Sequence, residues 1–303
     1  MPYDFENCKN CSSKAAQPKY RLSGKSSNKA TVWVCSDCGF HYIGFLDAGE
    51  VFDPVVRYDH PDCSAQIQNY DFQNRQMEHV KLIQQMVDLQ NAKVLDVGCG
   101  SGTFLSLLKQ KGADVTGLEL YDPAIVRAKA AGLTVYKYPV EHEFWQNQFA
   151  GSFDLISMWD VIEHVNFPVE TCKAATRLLR PGGLLFISTP CRDSFYYRFG
   201  QITYRLSMGK WPTFLNVLYA NKSYGHKQIF STGDIKQLYH RSGLEILFLK
   251  KDHELSLPYR NYLKKKFRSE TIVNMTEPIV RLFFQVCRIR NKLIAIGKKG
   301  AQR

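Results

Sequence analysis

The sequence predicts an α/β fold: a seven-stranded, mostly parallel sheet with helices on both faces, preceded by a small cysteine-paired module. Three observations predict it. Short apolar runs alternate with helix-spaced segments between residues 93 and 249. Such alternation pairs strands in parallel through right-handed crossovers, because only that hand packs each helix back onto the sheet. A glycine-rich turn joins the first run to the first helix, and two Cys-x-x-Cys pairs stand ahead of it all.

Length and composition agree. The 303 residues, 45% of them hydrophobic, are ample for a core without disulfide staples. With 22% charged and 13% aromatic residues the chain is not intrinsically disordered. No apolar run approaches the roughly 20 residues of a membrane-spanning helix. The opening MPYDFENCKNCSSK has no apolar core of an export signal, so a cytoplasmic location is expected. In that reducing compartment the nine cysteines do not imply a disulfide framework. The net charge of +12 is uneven: residues 250–303 hold 14 Lys/Arg against 4 Asp/Glu. A basic C-terminal segment on a nearly neutral body is either a solvated surface or a contact for anionic lipid, RNA or an acidic partner.

The elements follow in order. Residues 1–45 form the cysteine module, with a polar loop over 12–29, and 46–75 read as a linker. Helical spacing appears at Met77, Val80, Ile83 and Val87. Strands are expected at 93–97, 114–118, 133–136, 153–158, 184–188 and 244–249, and helices at 103–111, 123–131, 168–179 and 231–241. A seventh strand at 292–298 would run antiparallel to the sixth. The main domain spans 76–303 and carries two insertions. An aromatic one at 191–225 is a lid over an acceptor site or an ordinary packed excursion. A basic one at 252–291 holds two helices, the second over 276–290 with Thr276 as N-cap. Its stripe of Ile279, Leu282, Phe283 and Val286 would pack on its own domain, on another subunit, or on a membrane surface.

The chemistry concentrates at Asp96-Val97-Gly98-Cys99-Gly100-Ser101-Gly102, which follows a strand and opens a helix. Glycines there let the backbone turn tightly against a ligand. A dinucleotide fingerprint needs Gly-x-Gly-x-x-Gly, and counting from Gly98 its last glycine falls on Thr103, so the pattern fails. An acid two residues before alternate glycines suits a zwitterion without phosphate, Asp96 holding an ammonium. Glu119, ending the second strand, suits a ribose diol. The cofactor with those properties is S-adenosylmethionine.

At these residues the chain resembles the class I S-adenosylmethionine-dependent methyltransferases, and most the branch of ubiquinone-biosynthesis O-methyltransferases. The resemblance covers about Val94 to Leu249. It rests on VLDVGCGSGTFL, GLEL at 117–120, FDLISMWDVIEHV at 153–165, LRPGGLLFISTP at 179–190 and YGHKQIFS at 224–231. It implies a Rossmann-like domain that binds cofactor at Asp96, Gly98, Gly100, Gly102 and Glu119, with Leu120 and Val140 flanking adenine and Asp160 flooring the site. The Asp that the family often places after the third strand for the adenine amine is not matched in Tyr138-Pro139-Val140-Glu141, where that contact would fall to backbone atoms. His226, at the rim of the acceptor site, is the first candidate base for an alcohol or phenol, and His164 the second; each is equally readable as a structural histidine.

Cys8, Cys11, Cys35 and Cys38 offer four thiolates on two turns, a tetrahedral set for structural zinc with no open position. A redox pair is the competing reading. CSDCGFHYIG resembles a zinc-ribbon knuckle, and His41 is not needed as a ligand. Cys63, Cys99, Cys172, Cys191 and Cys287 read as ordinary thiols. The expectation is methyl transfer to the oxygen of a small or lipid-linked acceptor, set against two alternatives: an RNA methyltransferase clamped by the zinc module and basic tail, or a non-catalytic binding protein that keeps the fold.

Overall fold

The computed structural model describes residues 3–22, 30–47, 70–216, 218–219, 225–253, 259–267, 269–286 and 290–300. An antiparallel three-stranded sheet, β1 (Ala16–Leu22), β2 (Ala30–Cys35) and β3 (His41–Ile43), builds the cysteine module. Then come α1 (Tyr70–Gln84), β4 (Lys93–Val97), α2 (Thr103–Gln110), β5 (Asp114–Leu118), α3 (Asp122–Ala130), β6 (Thr134–Tyr136), α4 (Glu143–Phe149) and β7 (Phe153–Trp159). The chain continues as α5 (Pro168–Leu178), β8 (Leu179–Pro190), α6 (Phe195–Leu206), α7 (Thr213–Asn216), α8 (Thr232–Arg241) and β9 (Leu244–Asp252). It closes with α9 (Tyr259–Lys266), α10 (Glu270–Val286) and β10 (Lys292–Lys299).

The large sheet runs β6-β5-β4-β7-β8-β10-β9, with β4 to β8 parallel and β10 antiparallel to both its neighbours. The expected seven-stranded, mostly parallel sheet is therefore present. Alternation along each strand loads both faces, as a sheet covered by helices on two sides requires. Leu95, Ile156, Met158, Leu185 and Ala295 pack on the side of α4, α5 and α8. Val94, Leu155, Phe186, Ile294 and Ile296 pack on the side of α1, α2 and α3. The antiparallel partnership of β9 and β10 was expected. The insertion of β10 between β9 and β8 was not: it seats the last strand of the chain one place in from the β9 edge.

Several boundaries move. Helix α1 begins at Tyr70, inside the expected linker, of which residues 48–69 lie outside the described residues. Strand β8 starts at Leu179, because Pro181-Gly182-Gly183 is absorbed into the strand at an irregularity opposite Phe153 and Leu155. Helix α4 had no expectation; Trp145, fully buried, anchors it. Thr276 is not an N-cap: α10 begins six residues earlier, and the Thr276 hydroxyl donates to the Ile272 carbonyl at 2.7 Å. Ile279, Leu282 and Phe283 are 67%, 59% and 50% exposed, so that stripe does not pack on its own domain. Cys63 and Cys287 lie outside the described residues, whereas Cys99, Cys172 and Cys191 are buried thiols.

The aromatic insertion has two sides. Tyr197, Leu215 and Tyr219 join Tyr20, Leu22, Val32 and Ile43 of the cysteine module in one core. Phe195, Ile202, Leu206 and Trp211 face outward.

Gly297 of β10 is a packing requirement. A Cβ there would lie 2.7 Å from the buried Tyr239 ring, whose hydroxyl donates to the Ala295 carbonyl at 3.1 Å. Gly297→Ala should cost about 1–3 kcal/mol by overpacking. Urea denaturation measures this, and an unchanged midpoint would refute the tight fit.

Candidate active site and cysteine cluster

Beyond β4 the chain turns through Gly98, Gly100 and Gly102, with φ of 71°, 56° and 82°. A Cβ on Gly98 would stand 2.6 Å from Val161 Cγ2, and one on Gly102 2.1 Å from Leu133 Cδ1. The turn is thus pressed between the segment leaving β7 and the approach to β6. Ligands of open α/β sheets sit beyond this carboxyl end of the strands.

Asp96 is 2% exposed and accepts from the Ser157 hydroxyl at 2.6 Å. Burial above all, with a contribution from the Glu119 charge, pushes its carboxyl up to about 7 against the Ser157 bond. A carboxylate this costly to ionise has room for a cation. Glu119 is held by the backbone: Oε2 accepts from Gly100 N at 2.8 Å, and Oε1 from Leu120 N at 2.8 Å and Tyr121 N at 2.9 Å. It therefore ties the end of β5 to the glycine turn. Val140 is buried beside Leu118, and Leu120 packs partly buried against the same core. The Tyr138 and Phe144 rings stack at 4.6 Å next to them. Glu141 is engaged by the Thr171 hydroxyl.

Beyond β7, Asp160 adopts φ 52° and pairs with Lys292 at the start of β10. Desolvation works to raise its carboxyl, but the Lys292 ammonium outweighs it and holds Asp160 below the usual range. Glu163 has no exposed surface; its Oε2 accepts from Thr189 Oγ1 at 2.9 Å, and its buried Oε1 has no hydrogen-bond partner among the described residues. Burial first, then Asp160, pushes Glu163 well above the carboxylate range.

His164 and His226 face each other with ring centroids 4.7 Å apart. His226 Nδ1 lies 2.9 Å from the Leu218 carbonyl. A carbonyl only accepts, so Nδ1 carries a proton, and in the neutral form of the ring Nε2 is the acceptor. Donor atoms of Glu163, His164 and His226 lie within 4.8 Å of one another and could hold a cation, at the cost of displacing the Glu163 proton.

In the cysteine module Cys8 and Cys38 Sγ lie 3.5 Å apart, Cys11 and Cys35 Sγ 3.6 Å apart, and all four fall within 4.8 Å. Zinc–sulfur bonds of ~2.3 Å place tetrahedral edges at ~3.8 Å, so the thiols fit zinc. The two knuckles match: Ser12 N donates to Cys8 O and Gly39 N to Cys35 O, each at 2.9 Å, with Ser12 and Gly39 at positive φ. His41 is engaged elsewhere, its Nδ1 lying 2.8 Å from the Tyr197 hydroxyl.

Residues 70–248, more than half of the chain, match the family model of the methyltransferase domain. The chain belongs to the methyltransferase domain family. Among curated relatives, the ubiquinone biosynthesis O-methyltransferase of Pseudomonas aeruginosa strain UCBPP-PA14 is 32% identical over 127 residues, 41% of this chain and 55% of that protein. That of Bordetella avium is 36% identical over 118 residues, 38% of this chain and 49% of that protein. The chain thus spans about half the length of the curated relatives it matches. Two solved structures share the fold. One is a putative sarcosine dimethylglycine methyltransferase from Galdieria sulphuraria (TM-score 0.51, 18% identity, 75% of this chain and 86% of that one). The other is a complex of the Haloferax volcanii Trm112 methyltransferase activator and a putative methyltransferase (TM-score 0.53, 13% identity, 79% and 96%).

In this methyltransferase domain the structure brings Asp96, the glycines and Glu119 together, and gathers Asp160, His164 and His226 in a second group. Sequence reasoning missed Ser157, Glu163, Lys292, Lys227 and Gln228. Glu163 carried a signal, an acid within an apolar segment; Lys292 carried none, because its partner lies 132 residues away.

An Asp96 carboxyl near 7 binds a cation only after losing its proton, so cofactor affinity should rise from pH 6 to 8 and level above. Sign and window follow from the raised value: the folded state keeps a proton that an unfolded Asp releases near 4, so this group also costs stability as pH rises from about 4 to 7. Calorimetric titration with S-adenosylmethionine measures the affinity; a flat profile abolished by Asp96→Asn would overturn the protonation argument. For the metal, elemental analysis should find about one zinc per chain. Folded protein free of metal would rule the structural site out.

Proposed function

We propose that this chain transfers the methyl group of S-adenosylmethionine to the oxygen of a small-molecule or lipid-linked acceptor. One observation carries the reading: the sealed, hard-to-ionise Asp96 at the end of β4, joined through the positive-φ glycine turn to the backbone-held Glu119. Asp96 holds the amino-acid end. Gly98, Gly100 and Gly102 leave the backbone bare against it, and Glu119, whose Oε2 takes a single backbone bond, accepts from the ribose. Leu120 and Val140, with the Tyr138–Phe144 stack, flank the adenine. Asp160, fixed by Lys292, floors the site.

The cofactor supplies a sulfonium-activated methyl group. The chain's own work is alignment and proton removal. The neutral His226 tautomer presents Nε2 as an acceptor for the hydroxyl proton, and His164 packs against that ring to orient it. The O-methyltransferase names of the curated relatives support oxygen as the nucleophile.

Two exposed apolar stripes support a lipid-linked acceptor. Phe195, Ile202 and Leu206 line α6; Ile272, Met275, Ile279 and Leu282 line α10. Both helices leave the sheet from one row, where Lys292 lies between Pro190 and Asp252. They therefore stand at the end of the sheet where the acceptor enters, and 252–291 supplies peripheral contact with a bilayer. The RNA reading draws less support, because the exposed stripes of α6 and α10 are apolar and several basic residues of the segment already have acidic partners. Arg260 pairs with Glu270 and Glu277, Lys264 with Glu270, Arg281 with Glu277, and Lys292 with Asp160.

The test is transfer of labelled methyl from S-adenosylmethionine into aqueous, lipid and RNA fractions of an extract. Label should enter the lipid or small-molecule fraction, Asp96→Ala should abolish it, and His226→Ala should lower turnover 10²–10⁴-fold as loss of a general base does, with cofactor affinity kept. Label in RNA alone, or full transfer by Asp96→Ala, would overturn the proposal.

A further inference from the structure

Four consecutive carbonyls of the segment carrying Glu163 and His164 accept hydrogen bonds from two residues. Gln228 Nε2 donates to Ile162 O and Val165 O, each at 2.8 Å. Lys227 N donates to Glu163 O at 2.8 Å, and Lys227 Nζ to His164 O at 2.5 Å. Both residues have no exposed surface, and they follow His226 directly. The two-residue brace therefore fixes His164 and His226 relative to each other.

The brace is in turn held by the cysteine module. Strand β3 leaves the second knuckle, and its Tyr42 forms a β-bridge with Gln228. Ile43 N donates to Lys227 O at 2.8 Å. Past β3, Asp47 pairs with Lys227 Nζ at 2.6 Å and exchanges two bonds with Asn166, N to Oδ1 at 2.9 Å and Nδ2 to O at 3.1 Å. The first knuckle reaches the same strand, because the Tyr42 hydroxyl donates to Phe5 O at 2.6 Å and Asn7 O at 3.1 Å. At the second knuckle Arg192 donates to Gly39 O at 2.9 Å while pairing with Asp234 at 2.7 Å. A four-thiolate site fixes both knuckles, and a three-stranded sheet this small has little core of its own to do so.

We infer that the cysteine module is the template for the acceptor side of the active site, with Lys227 and Gln228 as positioning residues, so that methyl transfer depends on a metal that never meets the reactants. The inference rests on the function proposed above. Its logic is preorganisation: a proton acceptor must be held to a fraction of an ångström, and a loop achieves this only through a satisfied supporting shell. The cofactor half of the site, from Asp96 to Glu119, makes none of these contacts, so it should survive their loss.

The experiment uses the full chain and Gln228→Leu, which removes two donors at similar volume and leaves the backbone bridge. Gln228→Leu should lower kcat at least tenfold while the Kd for S-adenosylmethionine stays within twofold. The imidazole NMR resonances of His164 and His226 should move. Removing the metal with a chelator should have the same signature, reversed by added Zn²⁺. Unmoved imidazole resonances with wild-type kcat in Gln228→Leu would overturn the inference, as would full turnover by folded, metal-free chain. Should the metal-free chain unfold, the Gln228→Leu arm decides. The resonances need no acceptor, so a failed search for the substrate, which would sink the proposed function, leaves the brace tested in its own right.

Discussion

A buried carboxylate at the carboxyl end of a central strand is the constraint on which the cofactor half of this site depends. Asp96 is placed by the sheet, since β4 lies between β5 and β7 and its last residues are walled on both flanks. Ionising an acid there costs energy that the fold alone does not return. Ser157 recovers part of it, and Glu119 works against it. The glycine turn leaves open the one direction from which a compensating cation can approach. Two features that look separate in the sequence, an acid and alternate glycines, answer one electrostatic problem, and the second acid ties the turn to the end of β5.

The acceptor half is organised differently. It stands beyond the end of β7, where the backbone no longer has strand partners. Buried carbonyls without partners are costly, so each needs a donor from elsewhere. Residues 227 and 228 supply four of them, and the cysteine module supplies the partners of those residues. Among the acids, Asp160 is paired with Lys292, and burial pushes the Glu163 carboxyl well above the usual range. The cofactor half thus draws on residues between Asp96 and Val161, and the acceptor half on residues between Asp47 and Lys292.

That difference explains what the sequence revealed. The glycine turn, Glu119, the strand–helix alternation and the cysteine pairs are local patterns whose spacing carries their geometry. The seating of β10 beside β8 left no local mark, because an apolar strand reads the same at an edge or a centre. Thr276 looked like a cap because it precedes an apolar stripe, yet Glu270 to Asn274 continue the helix and let its hydroxyl bond backward. Lys227 and Gln228 carry no local sign of burial in the sequence. Their full burial follows from a β-bridge between segments 186 residues apart.

The same reasoning separates the two insertions. The inner side of 191–225 is fixed by the cysteine module, since Tyr197 meets His41 at 2.8 Å and Tyr219 at 2.7 Å through its hydroxyl. Its outer side is unpartnered within the described residues. In the other insertion the acids of α10 are drawn inward by Arg260 and Lys264 of α9, which leaves the apolar stripe of α10 facing out. Ion pairs between two short helices contribute little stability by themselves. Here they orient the hairpin, turning charge toward charge and apolar surface toward whatever covers the end of the sheet. On the function proposed above, a methyltransferase domain so arranged would have its chemistry fixed from one side by the cysteine module and its acceptor admitted from the other.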